Sequence, residues 1–235
     1  LYLDIIGALA AICSLFFISI PYVAPQTKAS ISGVWDDLKL GIQAIFQHQG
    51  IKQLFLYAMV VTFFVMPVAI MFPLLTIEHY GGAKWEMSVV EIAWGVGMLV
   101  GGSLLGILRM PIAKIVLINS MYIILGLTFA LSGLFAPSWF IPFVFVTAVG
   151  GISMSIFSAA FMTIIQEEIP QHMLGRVFSL YFSIAILPSI IGLLFTGLVA
   201  EAIGITTAFV ISGIFVCLVG ILSFYTAAMM RLGRK

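Results

Sequence analysis

The sequence predicts an all-α fold, a polytopic membrane helical bundle with seven transmembrane helices. Composition is one reason, because 63% of the 235 residues are hydrophobic and 8% are charged, against about 25% charged in soluble domains. Continuity is the second reason. Each apolar run is long enough for a helix rising about 1.5 Å per residue to cross a hydrocarbon core of about 30 Å. Transmembrane β-strands would alternate apolar and polar residues, and these runs do not.

The predicted spans follow from the apolar runs in chain order. They cover residues 5–23, 54–77, 89–108, 115–135, 140–165, 177–200 and 207–230. No basic segment precedes the first run, so it does not have the form of a signal peptide. Because the chain begins inside that run and without methionine, we expect it to be a fragment of a longer protein.

The connection between the first two spans, residues 24–53, is the longest. Its apolar residues recur at helical spacing, with polar residues largely between them: Val34, Trp35, Leu38, Ile42, Ile45 and Phe46. This pattern predicts an amphipathic helix at the membrane interface.

The basic residues are distributed unequally between the two sides of the predicted bundle. One side carries Lys28, Lys39, Lys52, Arg109, Lys114, Arg176, Arg231, Arg234 and Lys235, and the other carries Lys84. Basic residues gather on the cytoplasmic side of membrane proteins. We therefore expect a cytoplasmic C-terminus and cytoplasmic loops at Arg109, Lys114, Gly175 and Arg176.

The third span carries the sharpest candidate for chemistry, Glu91, which is its one ionisable residue. An acid within a span is costly and indicates a site for a proton or a substrate. The alternative is a capping box with Ser88, in which Glu91 satisfies free amides at the start of the helix. Small residues four apart in the same span predict close helix packing, at Gly97, Gly101, Gly102 and Gly106.

Other spans contain residues that bend helices or are polar. Pro67, Pro73 and Pro188 remove backbone donors and predict either gates or static bends. Asn119, Tyr57, Phe161 and Tyr181 are further candidates for a proton or substrate site, in an aromatic cavity for lipophilic molecules. Interhelical hydrogen bonding by Asn119 and packing by the aromatic residues are the alternatives.

Known catalytic and binding motifs are missing from the sequence. It contains no GxSxG, no GxxxxGK[ST] and no HExxH, so an enzyme, an ATP-driven pump and a metal site are not predicted. We expect no cofactor. The unequal distribution of basic residues between the two sides of the membrane accounts for their positions, and no further basic patch remains. This argues against nucleic-acid binding.

The loop motifs resemble those of the drug-efflux branch of the major facilitator superfamily, the macrolide and enterobactin exporters. DLKLG at 37–41 and HQGI at 48–51 resemble the approach to helix seven in that branch, with Gln49 in place of the usual proline. Gln166, Pro170 and GRVFS at 175–179 resemble its stretch between helices ten and eleven. Residues 102–114 resemble the inner-loop motif of the family without its acid.

The resemblance implies half of a twelve-helix transporter. Residues 1–23 would be helix six, the last helix of the N-terminal half. Residues 24–53 would be the cytoplasmic loop between the halves, 54–230 the C-terminal six-helix half, and 231–235 a cytoplasmic tail. It further implies proton-driven export of lipophilic drugs by alternating access in a bacterial inner membrane. The implied partners are the lipid bilayer, protons, a small lipophilic substrate and the missing N-terminal half.

Two other classes of protein share parts of this pattern. A complete seven-helix receptor has the same number of spans and a cytoplasmic tail. However, the last span has neither a lysine for retinal nor an NPxxY motif. A membrane scaffold subunit that transports nothing is the other alternative.

Overall fold

The computed structural model describes residues 12–13, 39–43, 45–107 and 112–232, without the side chains of 188, 192, 193 and 195–200. The chain divides into two compact units, residues 1–36 and 37–235, and all that follows concerns the second. Apart from residues 12 and 13, the predicted first span lies outside the described residues, as do residues 24–38 of the predicted loop and Arg109. So do Arg234 and Lys235.

Within the described part of the chain, six helices are long and apolar enough to span a membrane. They are α1 (Gln49–Glu78), α2 (Lys84–Ile107), α3 (Lys114–Leu134), α4 (Phe140–Glu168), α5 (Gln171–Ile203) and α6 (Ile205–Tyr225). The all-α membrane bundle is therefore confirmed, with six of the seven predicted spans observed.

Several helix boundaries differ from the predicted ones. The helix α5 begins at Gln171 rather than at residue 177, because the Met173 amide already donates to the Pro170 carbonyl and starts the helix there. Gly175 and Arg176 therefore lie in the first turns of α5, and the expectation of a loop at these residues was wrong. Lys114 likewise is the first residue of α3.

The last helix also ends early. The helix α6 ends at Tyr225 rather than at residue 230, because residues 226–232 fold into turns. In these turns the Met229 amide donates to the Thr226 carbonyl and the Leu232 amide donates to the Met229 carbonyl. We call residues 226–232 the C-terminal turn. It packs on α1, where a β-carbon on Gly50 would lie 2.7 Å from the Ala228 carbonyl oxygen.

Successive helices run in opposite directions, so the bundle has two ends. We call the end with the start of α1 and the C-terminal turn the basic end, because exposed Lys52 and Arg231 lie there. Lys114 also pairs with Glu167 at this end, between α3 and α4. At the opposite end, the Tyr80 hydroxyl donates to the Ser132 carbonyl at 2.7 Å. Burial raises the pKa of Tyr80, so it remains a neutral donor.

Glycines determine which helices approach most closely. A β-carbon on Gly101 would lie 2.6 Å from the Ile152 carbonyl oxygen, and one on Gly97 would collide with Ala148, so α2 lies backbone to backbone on α4. Gly126 and Gly213 make the same kind of contact between α3 and α6. Such contacts between small residues hold helices together in lipid.

The other predicted glycine pair does not pack in this way. A β-carbon on Gly102 would come within 3.3 Å of the Ser155 hydroxyl, whereas one on Gly106 would meet no described atom within 4 Å. The packing role predicted for Gly106 thus has no contact to support it within the described residues. The prolines Pro67 and Pro73 do not break α1, which continues from Gln49 to Glu78.

Candidate functional site

A cavity of about 390 Å³ lies between α1, α2 and α4, with Phe129 of α3 at its wall. It is in the half of the bundle nearer the opposite end, since it involves the last turns of α1 and the first turns of α2. Its larger lining side chains are apolar: Met66, Phe72, Met87, Trp94, Met98, Phe129 and Met154. Flexible, polarisable methionines and aromatic rings suit lipophilic ligands of varied shape.

Glu91 is the single ionisable residue among those that line this cavity. Its side chain is exposed, and no hydrogen bond or ion pair from another described residue holds it. Residues three and four apart share a helix face, so Met87 and Trp94 flank it on α2. One carboxylate therefore stands in an otherwise apolar, aromatic cavity.

The capping alternative for Glu91 is wrong, because α2 starts earlier than predicted. The helix begins at Lys84, and the Ala83 amide donates to the Glu86 carboxylate at 2.8 Å. Ser88 lies inside the helix and its hydroxyl donates to the Lys84 carbonyl at 3.1 Å. Glu86 thus has the capping position, and the carboxylate of Glu91 is left available to the cavity.

Phe72 joins the cavity wall to the core of the bundle. Its ring centroid lies 6.0 Å from those of Trp94 and Phe129, 6.1 Å from that of Phe143 and 5.1 Å from that of Phe209. These rings belong to α2, α3, α4 and α6. A displacement of α1 at Phe72 would therefore disturb four other helices at once.

The wall from α1 also contains an irregular backbone position. Pro73 lines the cavity and has no amide hydrogen, so the Ala69 carbonyl lacks its usual helical donor. Thr76 is buried, and its hydroxyl donates to the Phe72 carbonyl at 2.9 Å. Unpaired backbone groups at membrane depth are tolerated where they face a polar partner or a cavity, which fits the position of Ala69 on the cavity wall.

The other predicted site residues lie nearer the basic end and away from this cavity. Phe161 and Tyr181 do come together, with ring centroids 4.8 Å apart, and Phe55 packs against both. Phe161 is fully buried. This arrangement favours the packing alternative for these two rings.

Tyr57 and Asn119 meet the C-terminal turn instead of one another. The hydroxyl groups of Tyr57 and Thr226 are 2.7 Å apart, and the Asn119 amide donates to the Met230 sulfur at 3.6 Å. The structure therefore supports a hydrogen-bonding role for both residues, with the C-terminal turn as the partner rather than another helix. Pro188 lies in α5.

Sequence reasoning did not identify Trp94 or Phe72 as parts of the site, whereas Gly150 belongs to a small-residue face that the sequence predicted to pack on a helix or border a cavity. Trp94 had a usable signal, because it follows Glu91 by one helical turn and shares its face. Gly150 lies against the indole ring of Trp94, since a β-carbon on Gly150 would be 2.9 Å from Cζ3 of that ring. Within the described residues, no group of three His, Cys, Asp or Glu side chains could hold a metal ion.

A family model described as Major Facilitator Superfamily matches residues 113–230, about half of the chain. The chain belongs to the major facilitator superfamily. Members of this superfamily are transporters rather than enzymes.

Curated relatives in the superfamily include efflux proteins. Macrolide efflux protein A of Streptococcus pyogenes is 31% identical over 219 residues, which are 93% of this chain and 54% of that protein. Its namesake in Enterococcus faecalis is 31% identical over 191 residues, 81% of this chain and 59% of that protein. An uncharacterized MFS-type transporter of Bacillus subtilis, YfiS, is 26% identical over 168 residues, 69% of this chain and 40% of YfiS.

The chain spans about half the length of the curated relatives it matches. These matches confirm the resemblance to the drug-efflux branch that the loop motifs indicated. Membership of a transporter superfamily also counts against the alternative of a seven-helix receptor.

Proposed function

We propose that the full-length protein is a secondary active transporter that exports lipophilic drugs or related small molecules by alternating access. In this proposal the chain supplies the C-terminal six-helix half, and a second half of the same protein completes the transport path. Two observations support it: the relatives carry the name macrolide efflux protein, and the largest side chains around Glu91 are aromatic rings and methionines.

The single observation that carries the proposal is the position of Glu91. Its carboxylate is exposed in an apolar cavity, and no described side chain is paired with it. Charged groups in spans are costly and are retained for ion or substrate pathways. We propose that the carboxylate alternates between a proton and the substrate, which would couple proton entry to export.

The contacts of α2 and α4 support a route for alternating access. Gly97 and Gly101 hold α2 directly on α4, so these two helices form one stiff pair. The helix α1 has two prolines and therefore two missing backbone hydrogen bonds. We propose that α1 bends at Pro67 and Pro73 while the α2–α4 pair stays rigid, which changes access to the cavity between them.

The distribution of charge supports a location in the bacterial inner membrane with the basic end toward the cytoplasm. Of the ten bases in the chain, nine belong to that side in sequence, as expected for cytoplasmic loops. The cavity at Glu91 then lies in the outer half of the membrane.

Dye efflux from cells that express the whole reading frame tests this function. We expect cells with the wild-type protein to retain less of a lipophilic dye, and a proton uncoupler to abolish the difference. Glu91→Gln should remove efflux, whereas the matched control Glu86→Gln should leave it intact, because Glu86 only caps the helix. Efflux that is indifferent to the uncoupler would contradict proton coupling, and equal retention with and without the protein would contradict export.

A further inference from the structure

The helical residues 39–43 and 45–47 include large apolar side chains that are exposed although they precede the membrane-spanning part of α1. One face of this segment packs on α5, because a β-carbon on Gly41 would lie 3.4 Å from the Arg176 carbonyl oxygen and Ile45 is 5% exposed. Leu40 and Phe46 are nevertheless 40% and 58% exposed. Both residues precede the membrane-spanning part of α1, so their exposure is not explained by the hydrocarbon core alone.

The length of α1 indicates the depth of this segment. A helix of 30 residues is about 45 Å long, whereas the hydrocarbon core is about 30 Å thick. The apolar run of α1 begins at Leu54, so Lys52 lies at the level of the lipid headgroups. The Lys52 ammonium is 4.7 Å from the ring centroid of Phe46, which places Phe46 at the same level.

Among the described residues, the charged side chains nearest to Phe46 in the chain are both basic. Lys39 and Lys52 are exposed, and among the described side chains no carboxylate pairs with Lys52. A lysine ammonium has three donors, so Lys52 retains hydrogens for an anion while its charge lies over the ring.

We propose that Phe46 and Lys52 bind the headgroup of an anionic phospholipid in the leaflet at the basic end, with Lys39 adding to the local positive charge. The phosphate accepts a hydrogen bond from Lys52, and Phe46 packs on the upper part of the acyl chains beside it. A membrane-bound anion fits better than a dissolved one, because exposed Phe46 and Leu40 gain contacts only from an amphipathic partner. Clusters of bases beside a transmembrane helix attract anionic lipids in this way. The site is separate from the cavity at Glu91 and independent of the transported substrate.

Lipid titration of the purified full-length protein in neutral detergent tests this site. The midpoint of thermal unfolding is followed against phosphatidylglycerol, phosphatidylcholine and soluble glycerol phosphate. We expect phosphatidylglycerol to raise the midpoint at lower concentrations than either of the others. Lys52→Gln should weaken the effect about fivefold, the contribution of one base near an anionic surface. Lys84→Gln is the matched control at the opposite end and should behave as wild type.

A second variant separates lipid from free anion. Phe46→Ser should weaken the response to phosphatidylglycerol while leaving the small response to glycerol phosphate unchanged. Equal effects of phosphatidylcholine and phosphatidylglycerol would overturn the proposal in favour of a general lipid requirement. Equal effects of glycerol phosphate and phosphatidylglycerol would replace the lipid with a dissolved anion. An unchanged response in Lys52→Gln would also overturn it.

Discussion

The indole ring of Trp94 occupies the space that a side chain at position 150 would need. A β-carbon on Gly150 would lie 2.9 Å from Cζ3 of the ring and 3.2 Å from the Thr128 hydroxyl oxygen. Trp94 lines the cavity beside Glu91, so the free volume next to the ring is the cavity itself. The width of the proposed substrate site therefore depends on a glycine in the neighbouring helix α4.

Gly150→Ala is expected to narrow this site. The added methyl group displaces the indole, which lines the cavity, so efflux of bulky lipophilic dyes should fall several-fold while compact dyes are less affected. Adding Trp94→Phe to Gly150→Ala should restore part of the efflux, because the smaller ring leaves room for the methyl group. Gly95→Ala is the control, since a β-carbon on Gly95 would meet nothing within 4 Å. Independent, additive losses in the double variant would argue against this contact.

The contact of α2 with α4 predicts a difference between two glycines of one helix. Gly101→Ala forces the α2 backbone away from Ile152, and overpacking of this kind costs about 1–3 kcal/mol of the free energy of unfolding. Gly106→Ala adds a methyl group in open space, so stability should stay equal or rise by up to about 1 kcal/mol from helix propensity. Chemical unfolding of the purified full-length variants measures both values. Similar losses at the two positions would show that Gly101 does not make a tight contact.

The hydrogen bond between Tyr57 and Thr226 is expected to hold the C-terminal turn on α1. Tyr57→Phe removes it and should lower the free energy of unfolding by about 0.5–1.5 kcal/mol. Thr226→Val also removes the hydrogen bond from the Thr226 hydroxyl to the Leu222 carbonyl, so it should cost at least as much, and the double variant should cost little more than Thr226→Val alone. Thermal unfolding of the four proteins gives this double-mutant cycle. A double variant that loses the full sum would mean that the two hydroxyl groups do not interact.

The spans were predictable because continuous apolar runs of this length have few other stable structures. Errors arose at helix ends, where local chemistry decides. Pro170 allows α5 to start directly after it, which brought Gly175 and Arg176 into the helix. At the start of α2, polar residues from Lys84 to Ser88 resembled a loop, so Ser88 was misread as the capping residue. The cap is Glu86, bonded to the Ala83 amide.

The residues that line the cavity around Glu91 were harder to predict from the sequence than Glu91 itself. Glu91 stood out because an ionisable residue within a span is rare. Its neighbours Phe72, Trp94 and Gly150 come from three helices. Helical periodicity shows which residues share a face, but it does not show which faces of different helices meet. Phe161 and Tyr181 were candidates for a cavity wall because the sequence does not show which faces meet. In the structure they pack against each other nearer the basic end.

Equilibrium binding of a lipophilic monovalent cation, tetraphenylphosphonium, tests the role of Glu91 most directly. The purified full-length wild type, Glu91→Gln and Glu86→Gln are compared at alkaline pH, with a neutral lipophilic dye as a second ligand. We expect the affinity of Glu91→Gln for the cation to fall several-fold, because an ion pair with an exposed carboxylate contributes up to about 1 kcal/mol. Glu86→Gln should bind the cation as wild type does, and the neutral dye should bind all three proteins alike. Cation binding by Glu91→Gln at wild-type affinity would contradict the assignment of the substrate site to this cavity.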